Sequence, residues 1–192
     1  MTRLVGLLGS VTPPGRLSGA LESALARAAA RGHETRFLDL GALTLGYADG
    51  RPLDQLGDDS PLLVQAIRDA EAVVLATPVY RGTLTGALKN ALDLLPLEAL
   101  QAKPVGIIAM GATLHHYLGV ESHLRDILSW FGAITLPTGV YLSSADFVEG
   151  AVSENAAAAL DALIEAATSF AAVVPSLGTG PGPLASAGAK RG

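Results

Sequence analysis

There is no cysteine among the 192 residues of this chain. That excludes disulfides, thiolate metal sites and a cysteine nucleophile, and it fits a reducing compartment. A cytoplasmic location is the expectation. Charge is scarce as well: charged residues make up 16%, hydrophobic residues 49%, and the net charge is −5. Such a surface has no long-range attraction for nucleic acid or an anionic membrane. The apolar excess favours self-association instead, because monomers rarely leave large apolar patches in water. No uninterrupted apolar run is long enough to span a bilayer. The nearest, Ala156 to Val174, is broken by Asp161, Glu165, Thr168 and Ser169, and reads as an amphipathic helix that closes the fold. At the amino terminus, LVGLLGS after Arg3 is too short for a signal core and reads as a strand. No internal repeat is visible. Two nucleotide signatures are also missing. Without GxxxxGK followed by Ser or Thr, the chain is no P-loop hydrolase; without GxGxxG after the first strand, Rossmann dinucleotide binding loses its main support.

What is present is an alternation of strand-length apolar runs and helical patterns. Strands are predicted over Leu4–Leu8, Thr35–Leu40, Ala72–Ala76, Val105–Ala109 and Ile134–Leu142, the last kinked near Pro137. Helices are predicted over Leu17–Arg31, stopped by Gly32, and from Ser60-Pro61 onward. Further helical patterns cover Leu84–Leu95, ended by Pro96, then Leu114–Phe131, and Ser153 to about Ala172. Gly41–Ser60 lacks periodicity and is a loop longer than usual, a feature of functional connections. The length favours one domain, residues 1–175, and SLGTGPGPLASAGAKRG at 176–192 reads as a disordered tail. Five apolar strands separated by helices imply an α/β fold whose parallel sheet is covered on both faces. A flavodoxin-like strand order and a Rossmann half both meet that description.

In such a sheet, ligands bind at the carboxyl ends of the strands. The loop after the first strand, GSVTPPGRLS, offers the hydroxyls of Ser10 and Ser18, the guanidinium of Arg16 and a helix amino terminus. Those groups suit a phosphate. The loop after the third strand, TPVYRG, offers the ring of Tyr80 and backbone amides between Val79 and Thr83. Pro78 is expected to end strand pairing there, and Gly82 to allow close approach. Those groups suit a planar ring. A third strand end, Gly111, Ala112 and Thr113, lies where the far edge of the same ligand would fall. Together the loops suggest a flavin mononucleotide.

GSVTPPGRLS, TPVYRGTLTGALKNALDLLP and MGATLHHYLGVESHLRDIL resemble the NAD(P)H-dependent FMN reductases, over roughly residues 4–145. The similarity is greatest to reductases that feed two-component monooxygenases such as the alkanesulfonate system. The resemblance implies a flavodoxin-like three-layer sandwich with a five-stranded parallel sheet. It implies that Ser10, Arg16 and Ser18 hold the FMN phosphate. Pro78, Val79, Tyr80, Arg81 and Gly82 would lie along the isoalloxazine, and Gly111, Ala112 and Thr113 would meet its pyrimidine edge. Many relatives carry serine or arginine where Val11, Thr12 and Gly15 stand, which predicts fewer phosphate contacts here.

The implied chemistry is hydride transfer from nicotinamide C4 of NADPH or NADH to flavin N5, with no general acid or base assigned among the residues. A homodimer or homotetramer is implied, with a flavin-dependent monooxygenase as a further partner. Alternatives on the same fold are a quinone or azo-compound reductase and a flavodoxin-like electron carrier. His115, His116 and His123 lack thiolates and acidic residues at ligand spacing, which argues against zinc.

Overall fold

The computed structural model describes residues 1–113 and 117–177, with Tyr117 and Leu118 as backbone only. His115, His116, the expected helix start at Leu114 and the tail from residue 178 lie outside the described residues. In chain order the elements begin with β1 (Arg3–Leu8), α1 (Arg16–Ala30), β2 (Glu34–Asp39), α2 (Ser60–Asp69) and β3 (Ala72–Pro78). They continue with α3 (Gly86–Leu94), β4 (Pro104–Met110), α4 (Tyr117–Trp130), β5 (Ile134–Thr135) and β6 (Val140–Leu142). A hairpin, β7 (Phe147–Val148) and β8 (Ala151–Val152), precedes the final helix α5 (Glu154–Val173).

The central sheet runs β2-β1-β3-β4-β5 with every pair parallel, which is the flavodoxin-like order rather than the Rossmann one. Its strands are apolar on both faces because successive side chains alternate between two cores. Val5, Leu7, Val73, Leu75, Val105 and Ile107 face α2, α3 and α4. Leu4, Leu8, Val74 and Ile108 face α1 and α5.

The kink foreseen at Pro137 is a complete break. Both β5 and β6 pair with β4, at Pro104–Val105 and at Ile108–Met110 respectively. Arg125 of α4 binds the freed carbonyls of Leu136 and Pro137 at 2.7 and 2.8 Å, while its guanidinium pairs with Glu121 at 2.6 Å.

By length and composition alone α5 is apolar enough to cross a membrane. In the structure it closes the α/β sandwich. Its Ser153 cap accepts from the Ala156 N–H, and Ala156, Leu160, Leu163, Ile164 and Ala167 bury against the sheet and α1. Asp161 pairs with Arg27 of α1 and with Arg31 just beyond its end.

Candidate functional site

β1, β3 and β4 are adjacent, so the turns at their carboxyl ends form one surface. Two hydrogen bonds fuse those turns. The Thr85 hydroxyl, from the start of α3, donates to the Gly9 carbonyl at 2.6 Å. The Val79 N–H donates to the Met110 carbonyl at 2.8 Å.

After β1, Gly9 still pairs with β3, its N–H donating to the Ala76 carbonyl. Ser10 is buried and its Oγ lies 2.7 Å from the Thr12 hydroxyl. Val11 to Arg16 are exposed. The helix α1 begins at Arg16, one residue earlier than expected, and its Gly15 cap supplies no side-chain acceptor. The first-turn N–H groups therefore present the positive end of the helix dipole without a side-chain cap. Arg16 leans away along the surface: its Nη2 reaches the Ser144 hydroxyl at 3.3 Å, and its guanidinium sits 5.2 Å from the Phe147 ring centroid. Ser18 faces elsewhere. It is buried on α1 and donates to Glu22 at 2.7 Å.

After β3, the expectation that Pro78 ends pairing and leaves Val79–Thr83 with free donors is corrected. Pro78 is the last strand residue, but Val79 still bonds Met110. Tyr80 and Thr83 then exchange both backbone bonds, at 2.9 and 3.1 Å. Between them Arg81 (φ 53°) and Gly82 (φ 79°) form a two-residue turn of type I′ geometry. Their two N–H groups are the ones the turn leaves open. For a non-glycine residue the left-handed conformation at Arg81 costs about 1 kcal/mol.

The turn is braced from α4. A Cβ on Gly119 would collide with the Gly82 carbonyl, so only glycine lets the helix approach, and His123 Nδ1 lies 2.8 Å from the Thr83 hydroxyl. Thr85 caps α3 by accepting from the Leu88 N–H, and Thr77 Oγ1 accepts from the Thr85 N–H. Tyr80 is half exposed and Arg81 exposed.

After β4, the Gly111 N–H is used by the Leu142 carbonyl. The space beside Gly111, where a Cβ would stand, is filled by the Tyr141 hydroxyl, which donates to the Thr113 carbonyl at 2.6 Å. Burial pushes the Tyr141 phenol up from its ordinary value. Ala112 and Thr113 remain exposed.

The structure thus gathers Ser10, the start of α1, Tyr80–Gly82 and Ala112–Thr113 on one rim. It turns Ser18 inward and carries Arg16 toward the β7–β8 hairpin. Ser144 and Phe147 went unread in the sequence. Their signal was there: Ser143 and Asp146 form a capping box, and Glu149-Gly150 is a turn dipeptide between two short apolar pairs.

Beside the β1 turn lies a cleft of about 440 Å³ lined by Val11, Leu40, Leu43, Leu45, Tyr47 and Ala87. Asn90 holds its outer wall, bonding the Ala48 N–H and the Gly46 carbonyl of the long loop. Among the described residues no group of histidine and acidic side chains could hold a metal ion.

Residues 2–147 match the family described as NADPH-dependent FMN reductase. The chain is 37% identical over 152 residues to the NADH-dependent FMN reductase SfnF of Pseudomonas fluorescens, covering 77% of this chain and 79% of that one. It is 35% identical over 116 residues to an NAD(P)H-dependent FAD/FMN reductase of Geobacillus thermodenitrificans, covering 60% and 63%. The apo structure of the NADH:FMN oxidoreductase EMOB superposes with a TM-score of 0.76 at 26% identity, covering 94% of this chain and 92% of the other.

Proposed function

The chain belongs to the NADPH-dependent FMN reductase family, and from that premise we propose that FMN lies across the three fused turns, where NADPH or NADH reduces it. The enzyme is an NAD(P)H-dependent FMN reductase. When bound, FMN supplies N5 as the acceptor of a hydride from nicotinamide C4. The residues present fit that group. The uncapped start of α1, with Ser10 beside it and Arg16 at its first position, suits the phosphate. Tyr80 offers an exposed ring, and the open N–H groups of Arg81 and Gly82 suit the carbonyl edge of a flavin. Ala112 and Thr113 border the far side.

The work of these residues is alignment and access, and none is assigned a proton transfer. The observation that carries the reading is the junction of the turns through Thr85–Gly9 and Val79–Met110, which holds the phosphate side and the ring side in one surface. Ser18 reaches a phosphate only after releasing Glu22.

Two finer points belong to the same reading. First, reduced FMN departs to an acceptor such as a flavin-dependent monooxygenase, which the solvent-facing position of Tyr80, Ala112 and Thr113 supports. Second, the enzyme is a cytoplasmic homodimer or homotetramer. An apolar groove between α3 and α4, with Leu92, Leu95, Ile127 and a Trp130 that is 56% exposed, supports the association. Light scattering on a size-exclusion column checks it.

The reductase reading is tested by NADPH and NADH oxidation under air, with and without added FMN. Turnover that requires and saturates with FMN is the expected result. Tight FMN binding without turnover would mean an electron carrier. Faster oxidation with a quinone or azo dye than with free FMN would mean a quinone or azo-compound reductase.

A further inference from the structure

The Arg81–Gly82 turn is held by far more than a surface loop requires. It is closed by both Tyr80–Thr83 backbone bonds, anchored to His123, and pressed against α4 at a glycine that admits no side chain. This frame keeps Arg81 in the left-handed region, where type I′ turns prefer asparagine or glycine. A strained non-glycine residue in a braced turn points to a use for its side chain.

Among the described residues that side chain has no partner. Arg3, Arg27, Arg31, Arg51, Arg68 and Arg125 pair with carboxylates, whereas Arg81, like Arg36 on β2, makes no ion pair or side-chain hydrogen bond among the described residues. It stands exposed on the rim of the turn that borders the flavin ring in the reading above. The other arginine considered for the site, Arg16, opens α1 and its guanidinium is held by Ser144 and Phe147. Arg16 thus already has contacts of its own beside the β1 turn, whereas Arg81 stands on the turn proposed for the flavin ring.

We propose that Arg81 selects the phosphorylated nicotinamide, NADPH, by binding its 2′-phosphate. This rests on the FMN site described above. A nicotinamide ring that stacks on the flavin leaves its adenosine half to run outward over the solvent edge of the ring turn. The 2′-phosphate is the sole chemical difference between the two dinucleotides. A guanidinium meets a phosphate through two parallel, charge-assisted hydrogen bonds. The braced turn limits the ordering that binding would otherwise require.

The test is steady-state kinetics with each nicotinamide at saturating FMN, in wild type, Arg81→Asn and Arg81→Lys. Wild type is expected to prefer NADPH. Arg81→Asn should lower the NADPH-to-NADH ratio of kcat/KM on the order of tenfold or more, through the KM for NADPH. Arg81→Lys, which keeps the charge and loses the fork, should fall between them. Adenosine 2′,5′-bisphosphate should compete with NADPH in wild type and weaken as an inhibitor of Arg81→Asn. Because Asn-Gly is the favoured pair for this turn, Arg81→Asn should melt at or above the wild-type temperature, which separates the effect from misfolding. A wild type without NADPH preference overturns the proposal, as does an Arg81→Asn enzyme with an unchanged ratio. Those results leave the reductase reading standing. Failure to reduce FMN with either nicotinamide overturns the FMN site and this proposal together.

Discussion

The turn after β3 and the turn after β1 serve the same proposed ligand but are built in opposite ways. The β3 turn is finished before any ligand arrives. Its backbone closes on itself, Thr85 caps the helix that follows, and Gly119 and His123 hold it from α4. The β1 turn is open. Ser10 and Thr12 satisfy each other, Val11 to Arg16 face solvent, and α1 starts without a side-chain cap. Pro13 and Pro14 restrict that loop without closing it. A ligand therefore meets a preformed ring platform and a phosphate loop that it must order itself. Ordering backbone costs about 1–2 kcal/mol per residue, so FMN affinity should depend more on the β1 side and hydride-transfer geometry more on the β3 side.

The contrast can be broken at either end. The largest effect is expected from Gly119→Val, which drives a side chain into the Gly82 carbonyl. Overpacking of this kind costs about 1–3 kcal/mol, and the variant should show a lower melting temperature and a lower kcat. A normal kcat would show that the brace does not matter to the ring turn. Next is Arg16→Ala, read by FMN titration. Loss of a charge-assisted contact of about 1.5–3 kcal/mol should raise the FMN Kd on the order of tenfold or more, with the melting temperature of the unliganded protein little changed. An unchanged Kd would remove Arg16 from the phosphate site. Thr85→Val strikes the junction between the two turns, losing both a cap and the bond to Gly9. A destabilisation of about 1–2 kcal/mol is expected in urea melts. FMN binding should weaken with it if the junction sets the spacing of the two turns.

The smallest effect lies away from the site. Lys103 Nζ binds the Ile67 and Arg68 carbonyls at the end of α2, and burial draws its ammonium down to about 8. The ordinary value is about 10.4. Between those values the unfolded chain holds the proton and the folded chain does not, so stability rises with pH from about 8 to about 10 and is flat below. Because Lys103 is half exposed, solvent screening keeps the rise under about 1 kcal/mol. Urea midpoints at three pH values would show it, and Lys103→Met should abolish it without touching either turn.

Much of the fold could be read from local pattern. The five strand positions, the start of the last helix near Ser153, the stop at Gly32 and a disturbance at Pro137, which the structure makes a full break, all follow from residues within a turn or two of one another. The gathering of the three candidate loops on one rim follows as well, since loops that follow adjacent parallel strands lie at the same end of the sheet. At Pro78 and Gly111 the decisive partner is distant in sequence. Pro78 did not end the pairing because the Met110 carbonyl of β4 takes the Val79 N–H. The backbone at Gly111 is covered by Tyr141, which reaches it from β6. At Ser18 the partner is local: its hydroxyl donates to Glu22, one turn further along α1.

The sequence by itself determined the strand-and-helix alternation, the flavin-type loops and the resemblance to FMN reductases, because periodicity, caps and loop motifs act over a few residues of chain. Only the tertiary structure decided which loop is rigid and which is open, and where Arg16 and Arg81 stand. Those outcomes depend on contacts such as Arg16 with Ser144, 128 residues apart, Thr85 with Gly9, 76 apart, and Thr83 with His123, 40 apart. Contacts across such separations exist only once the sheet has brought its strand ends together.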